Sequence, residues 1–582
     1  MSKKLFTKST VRNIILTIVF AAIYFYVVLP PINLQSPDFY TFVFISFAVY
    51  CALSLASTIS GSVKAHMYKT EEEIDFFAAI KSNCRIPFII CVILVVVVII
   101  GSIISSVIFN ANKYSQLLVP EAGDFATDID EISYTQIPML DEDSAKKLGD
   151  RKLGELSDMV SQFEVADDYN QINYKNEPVR VTPLIYGDLI KWFNNRSEGL
   201  PAYIIINMVT QEVEVVRLEE GMKYSTCEHF GRNVYRHLRF KYPTFIFDEP
   251  SFEIDDNGVP YWVCPRIVKT IGLFGGEDIK GAVLMNAITG ECEYYEDVPE
   301  WIDKVYSDDL IIEQYDYYGT YKNGFFNSIF GQKDVTITTD GSNYIAINDD
   351  VYVYTGITSV GSDESNVGFI LSNMRTKETK YYAIPGAEEY SAMSSAEGVV
   401  QHLSYKATFP LLLNISSEPT YFMALKDSAD LVKMYAMVNV QQYQIVATGS
   451  TVAECEQKYV ELLASKGILS SDDIDTGEIV GTISDIRTAV IDGNTFVYIK
   501  LDGSDIYYSI SAADAPVAVL LSVGDTVAIS APESQDEIVN AYSVKRKESV
   551  PESSQEQNNT DVESENQPGS TENGSDSNAE DS

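Results

Sequence analysis

Apart from carboxylates, this chain has few residues that could do chemistry: four histidines and seven cysteines stand against 83 aspartates and glutamates in 582 residues. His229 and His237 fall on one predicted helix, 227–240, eight residues apart, and so miss the i, i+4 face that two zinc-binding imidazoles share. In Cys227-Glu228-His229 a thiol and an imidazole stand two apart, where helical side chains diverge, so they do not form a nucleophile and its base. Cysteines never occur at Cys-x-x-Cys spacing. Cys227, Cys264, Cys292 and Cys455 allow three disulfide connectivities, but scattered strand positions such as Cys264 and Cys292 fit buried free thiols better. Paired acids can hydrolyse bonds by acid–base catalysis, yet among dozens of acids no pair stands out. Oxygen clusters can also hold calcium. The candidates are Asp472, Asp473, Asp475 and Glu478, as a weak site, and the turn Asp255-Asp256-Asn257-Gly258. Neither has the twelve-residue EF-hand spacing, and ordinary turn use is the simpler expectation. Gly275-Gly276-Glu277-Asp278 lacks a phosphate-loop pattern. No catalytic residue is assigned, and no cofactor beyond weak calcium.

The elements that would position such residues begin with a membrane region. Three apolar runs, 13–29, 40–58 and 86–109, are each long enough for a hydrocarbon core of about 30 Å. A signal peptide is the competing reading of the first, since Lys3, Lys4, Lys8 and Arg12 precede it, but no small-residue cleavage pattern follows. Lys64, Lys69, Lys81 and Arg85 lie between the second and third runs, and the loop between the first and second has no base. The positive-inside rule then makes the N-terminus and the 61–85 loop cytoplasmic and places the large C-terminal region outside the cell. Within that loop, 70–80 reads as a short interfacial helix. A formal charge of −41 argues against nucleic acid as a partner, while 46% hydrophobic residues provide for sizeable cores.

Beyond the membrane region a strand pair recurs. Apolar strand, Asn, a turn with Thr, then polar strand runs through 199–214, 281–293 and 368–380, with a weaker copy at 433–443. Its asparagines, Asn207, Asn286, Asn373 and Asn439, are separated by 79, 87 and 66 residues, a domain-sized spacing. The strands preceding it also recur, 171–183 paralleling 252–265, with 338–347 a degenerate third version. Helices are predicted at 144–163, 227–240, 301–306, 387–403 and 451–464, so each unit is a helix lying on a small antiparallel sheet. The phrase strand-Asn-x-x-Thr-Gly-Glu, best at 281–295, resembles the closing hairpin of PepSY domains, although that family usually has Asp where this chain has Asn. The resemblance covers 144–464. It implies extracytoplasmic binding or regulation of partner proteins, often peptidases, without catalytic residues.

From 477 to 545 short strands separated by turns fit a small closed β-barrel, and Val523-Gly524-Asp525-Thr526-Val527 resembles the fourth-strand entry of OB-fold proteins. Phe496, Tyr498, Tyr507 and Tyr508 could stack bases, but they sit where barrel residues would and few bases accompany them. The remainder, 546–582, is too polar to form a core and reads as an acidic disordered tail.

The fold class expected is therefore a membrane α-helical anchor of three spans plus extracytoplasmic α+β repeats and a small all-β barrel. Its parts are spans and loop at 1–110, a linker at 111–143, two repeats at 144–306, two degenerate repeats at 307–465, the barrel and the tail. The function expected is a binding or scaffold protein of the bacterial cell envelope, regulating an envelope peptidase or the cell-wall and cell-shape machinery. Its partners are the membrane and envelope proteins or peptides. The alternatives are a membrane-anchored carboxylate-dependent hydrolase, and a sensor or transport accessory subunit relaying an outside event to the 61–85 loop.

Overall fold

The computed structural model describes residues 8–67, 76–131, 137–347, 349–360, 365–469, 477–491, 494–512, 515–531, 538–541 and 543–547. The chain forms two compact units, Met1–Asp473 and Ile474–Ser582.

Three helices open the first unit: Lys8–Val28, Pro37–Met67 and Phe76–Ser105. Their stretches Ser9–Val28, Pro37–Ser60 and Cys84–Ser105 are long and apolar enough to cross a membrane, with only 6, 6 and 11% of each buried by protein. Outward-facing Ile, Val and Phe at that density suit hydrocarbon and not water. Spans one and two are joined by polar contacts: Arg12 donates to Ser57 Oγ (3.0 Å), Ser57 donates to Asn13 Oδ1 (3.0 Å), and Asn13 Nδ2 donates to the Leu53 carbonyl (3.3 Å). Span three stops at Ser105 and does not continue to 109. Ser106 caps a separate helix, Val107–Tyr114, by accepting the Ile108 N–H. Residues 76–80, expected in an interfacial helix, form the first turns of span three; 70–75 lie outside the described residues.

Four sheets follow, antiparallel except where Glu121–Ala122 joins the third in parallel, and each has the same order: two short strands sharing one side of a long strand, a second long strand, then an edge strand. In sheet one these are Phe163–Val165 and Asn170–Tyr174, Glu177–Tyr186, Leu200–Asn207 and Val213–Met222. Sheet two runs Ile246–Phe247 and Ser251–Ile254, Pro260–Ile271, Gly275–Asn286 and Cys292–Tyr295. Thr336–Thr338 and Asn343–Ile347, Asp350–Ser359, Ser365–Asn373 and Thr379–Tyr382 make sheet three, extended by Glu121–Ala122 and Gly386–Ala387. Sheet four has Lys406–Ala407 and Leu411–Ile415, Glu418–Lys426, Val432–Asn439 and Val446–Gly449. A helix precedes each sheet: Glu142–Gly154, Val234–Lys241, Asp308–Tyr321 and Glu389–Val399. A further helix, Val452–Ser465, buries Cys455, Tyr459 and Leu463, four apart on one face, against sheet four. The 111–143 segment is packed too, with Leu118, Phe125, Ile129, Ile137 and Leu140 all buried.

The turn asparagines explain why the pattern recurs. Each side-chain oxygen accepts the N–H groups two and three residues on: Val209 and Thr210, Ile288 and Thr289, Arg375 and Thr376, Gln441 and Gln442. In the first three turns the Thr hydroxyl accepts the N–H two residues further, and Gln211, Gly290 and Lys377 supply the left-handed residue. After each Asn, the N–H of Met208, Ala287, Met374 and Val440 bonds back to the first long strand at Pro178, Pro260, Val351 and Pro419. A few side-chain bonds thus set register in all four sheets.

Sheet two grips the spans through its hairpin tip. Ser105 Oγ, the last side chain of span three, accepts the N–H groups of Leu273 (2.8 Å) and Phe274 (2.9 Å). Gly272, at φ +66°, lets the backbone come that close, since a Cβ there would sit 2.9 Å from the Ser105 Cα. The Phe274 ring packs edge-on to Tyr40 at 5.7 Å, over Gly101. Arg239 Nε donates to the Leu29 carbonyl at the end of span one (2.8 Å), and the Ile32 N–H to the Pro243 carbonyl (2.7 Å).

The second unit is one six-stranded ladder: Ile538–Asn540, Tyr507–Ser511, Asn494–Leu501, Gly477–Ile491, Thr526–Ala531, Ser543–Arg546. A closed barrel is the sequence expectation; among the described residues the ladder has two end strands and no closed barrel is seen. Its long first strand pairs with Thr526–Ala531 through residue 482 and with Asn494–Leu501 from 483 onward, so it turns between two half-sheets. The two end strands are neighbours in sequence, Ile538–Asn540 and Ser543–Arg546, and residue 542 between them lies outside the described residues. Ile483, Val497, Ile499, Tyr508, Ile510, Val527 and Ile529 fill the core. Tyr508 is therefore a core residue, and the Tyr507 hydroxyl donates to Asp485 (2.6 Å).

Candidate functional site

Register relative to the turn asparagines puts four strand pairs in the same place: Gln171 opposite Arg180, Phe252 opposite Trp262, Tyr344 opposite Val353, and Leu412 opposite Tyr421. Three pairs are apolar or aromatic. The pair in sheet one is polar and just as deeply buried, Arg180 being 6% and Gln171 5% exposed. The Arg180 Nη1 donates to the Tyr169 carbonyl (3.0 Å), but its Nε has no partner, nor has either amide atom of Gln171. Leaving such groups unpaired costs about 1–3 kcal/mol each. Burial pulls the guanidinium's pKa below its usual value, with Glu142 and Asp141 opposing that pull, and an arginine so placed stays a cation.

Arg180 and Gln171 form part of the wall of a cavity of about 550 Å³, a volume suited to a small ligand. Here the equivalent faces of three sheets converge, since Phe252, Trp262 and Tyr344 line it as well. The other charged residues of the lining are mostly acidic: Glu142, Asp168, Asp248, Glu249, Glu277, Asp308, Asp309 and Glu313 against a single further base, Lys304. Asp308 already accepts from the Tyr344 hydroxyl (2.9 Å) and Ser342 (3.3 Å), and Asp248 from Ser307 (3.1 Å), which holds those acids in place. A second recess of about 570 Å³ shares Glu142, Arg180 and Tyr344 with the first. Chemically this is a buried cation with a neighbouring amide, beside aromatic faces, under a rim of eight acids and Lys304.

One position along, sheet two carries its own exception. Ile172, Ile345 and Leu413 occupy the buried site that holds Glu253 in sheet two. This carboxylate is saturated: it accepts the N–H groups of Asp303 (3.0 Å) and Lys304 (3.1 Å), with Asn170 and Ser251 at 3.5 and 3.4 Å. Asp303, itself buried, accepts the Asn173 N–H (2.8 Å). Burial raises the pKa of both carboxyls, and for Asp303 the Glu253 charge adds to it. Neither lines the cavity; the pair lies behind its wall and ties sheet one to sheet two.

The residues singled out from sequence fall elsewhere. Asp472, Asp473 and Asp475 lie outside the described residues, and Glu478 is the second residue of the strand Gly477–Ile491, opposite Ser530. Among the described residues no group of three or more His, Cys, Asp or Glu has metal-holding geometry. Asp255 accepts the N–H groups of Asn257 and Val259, as a turn residue does. Cys227, Glu228 and His229 precede the Val234–Lys241 helix, so the expected 227–240 helix starts late. Glu228 accepts from the Tyr186 hydroxyl and Trp192 Nε1 (2.8 Å each), and burial raises the Cys227 thiol's pKa, the opposite of what a nucleophile needs. His237 bonds the Gly290 carbonyl, and His229 packs on Trp192. Cys264, Cys292 and Cys455 are free thiols, as is Cys227. Sequence reading missed Arg180 and Gln171. The available signal was a charge at the step where the other units have Trp262, Val353 and Tyr421. No family model matches the chain, and no curated protein matches it.

Proposed function

We propose that this chain is a membrane-anchored binding protein of the bacterial cell envelope, displayed outside the cell by three spans. On this reading its four sheets are copies of one PepSY-like module, and the cavity between the first three receives the end of a peptide. The observation that carries this is the unpartnered pair Arg180 and Gln171 where sister sheets have apolar pairs. A carboxylate accepts from Arg180 and from Gln171 Nε2 together, a peptide N–H can donate to Gln171 Oε1, an apolar side chain suits Phe252, Trp262 and Tyr344, and the acidic rim attracts an ammonium group. A short peptide with a free C-terminus has all three. Four recurring asparagine turns support the module reading, and the loop bases support the orientation. The second unit is read as OB-like, because its two end strands are neighbours in sequence. The test is calorimetric titration of the full chain in detergent micelles with alanyl-phenylalanine and with its C-terminal amide. Saturable binding of the free acid, at least about thirtyfold tighter than the amide, is expected from loss of a charge-assisted contact of about 2 kcal/mol. Equal affinity for both, or binding of neither, rejects the reading. Protease added to intact cells should also digest the sheets while sparing the spans.

The grip of the sheet-two hairpin on Ser105 and Tyr40 favours a second reading, as a sensor, because motion of sheet two would be transmitted directly to span three. Gly101→Leu would obstruct Phe274 and uncouple the two, with binding retained.

A further inference from the structure

The helix Leu189–Asn195 and the 3₁₀ turn Phe230–Arg232 present Leu189, Ile190, Phe193 and Phe230 outward, at 64, 72, 58 and 64% exposure. Scattered exposed apolar residues need no explanation, but these four line one recess together with Tyr26. Tyr26 lies inside the apolar stretch Ser9–Val28, so this face stands at the depth of the end of span one. Phe230 holds φ +53°, a conformation costly for an aromatic residue, with its ring exposed. In a chain of net charge −41, three arginines border this face, and the adjoining acid Asp188 caps the helix and pairs with Lys191 (3.6 Å). The Arg196 guanidinium lies over Phe193 at 4.3 Å, and Arg236 lies over Tyr26 at 4.5 Å and donates to its carbonyl (3.3 Å). Arg232 donates to the Arg196 carbonyl. Among the described residues none of these three arginines pairs with a carboxylate.

The geometry points to a lipid leaflet as the occupant of this face: the apolar side chains enter the acyl region beside span one, and Arg196, Arg232 and Arg236 meet phospholipid phosphates. An apolar face bordered by arginines beside a span has the composition of an interfacial element, whose arginine stems lie along apolar surface with their heads at phosphate level. The contact fixes the height and tilt of sheet one on the membrane through a second point, separate from the sheet-two hairpin. This inference rests on the membrane reading of the three apolar helices.

The test uses Ile190→Trp in the full chain, reconstituted into phosphatidylcholine–phosphatidylglycerol vesicles. Vesicle flotation first separates the two claims, since a chain that does not float with lipid fails the membrane reading itself. For the floating protein, the emission added over wild type should fall to less than about half in lipids brominated high on the acyl chain, and aqueous iodide should quench it little. Quenching by iodide and not by bromolipid overturns the proposal. Protection from both quenchers also overturns it, because the face is then covered by protein. Arg196→Gln with Arg232→Gln should weaken the bromolipid quenching; unchanged quenching would remove the phosphate contact.

Discussion

Sheets one and two share a topology and break its apolar pattern one step apart, with opposite outcomes. Sheet two replaces a buried Ile or Leu by Glu253 and surrounds it with backbone N–H donors. Sheet one replaces a buried aromatic or aliphatic pair by Arg180 and Gln171 and leaves them short of partners beside a cavity. Buried polar groups that are satisfied hold structure together, whereas those that are not cost the protein stability. The first exception ties two sheets together, and the second is the position that the proposed function assigns to a ligand.

The largest effect should come from removing the tie. Glu253→Leu strands the Asp303 and Lys304 N–H groups and should lower unfolding free energy by about 3–5 kcal/mol, read by denaturant titration in micelles; Glu253→Gln, which still accepts, should lose far less. The comparison fails if the two variants behave alike. Next in size is a pH effect. Both carboxyls have raised pKa values in the folded state, so the folded protein binds more protons than the unfolded chain above the ordinary carboxylate range. The stability they contribute is complete below about pH 4 and is lost as pH rises through the folded values, each unit of displacement being worth about 1.4 kcal/mol. Asp303→Asn should flatten that slope, as melting measured across a pH series would reveal. The site should respond with the opposite sign: Arg180→Met, which restores the apolar character of the sister sheets, should stabilise the ligand-free protein by about 1–2 kcal/mol. Gln171→Leu should add about 1 kcal/mol or less, and the two changes together should be non-additive because their side chains are cross-strand neighbours.

How much of this could be read from residues alone depended on the range of the interaction. Spans are encoded by continuous hydropathy, and the turns by an asparagine bonding its own neighbours two and three residues on, so both were legible. Helix 452–465 was legible because its apolar residues keep one face. The Asp308–Tyr321 helix was not: its tyrosines and acids blur the apolar period, and the helix expected at 301–306 is a loop whose N–H groups serve Glu253. The site was hidden for a stronger reason. Arg180 in Val-Arg-Val-Thr looks like the polar half of an alternating strand, and only the packing of sheets two and three over it makes that position an interior one.

The most direct test of the account compares the melting of wild type and of the Arg180→Met, Gln171→Leu double variant, each with and without alanyl-phenylalanine. The account predicts that the empty double variant melts higher than wild type and that the peptide raises the melting temperature of wild type alone. A double variant that melts lower, with the peptide leaving wild type unmoved, would mean that Arg180 and Gln171 only hold the fold together, and the binding function would be contradicted.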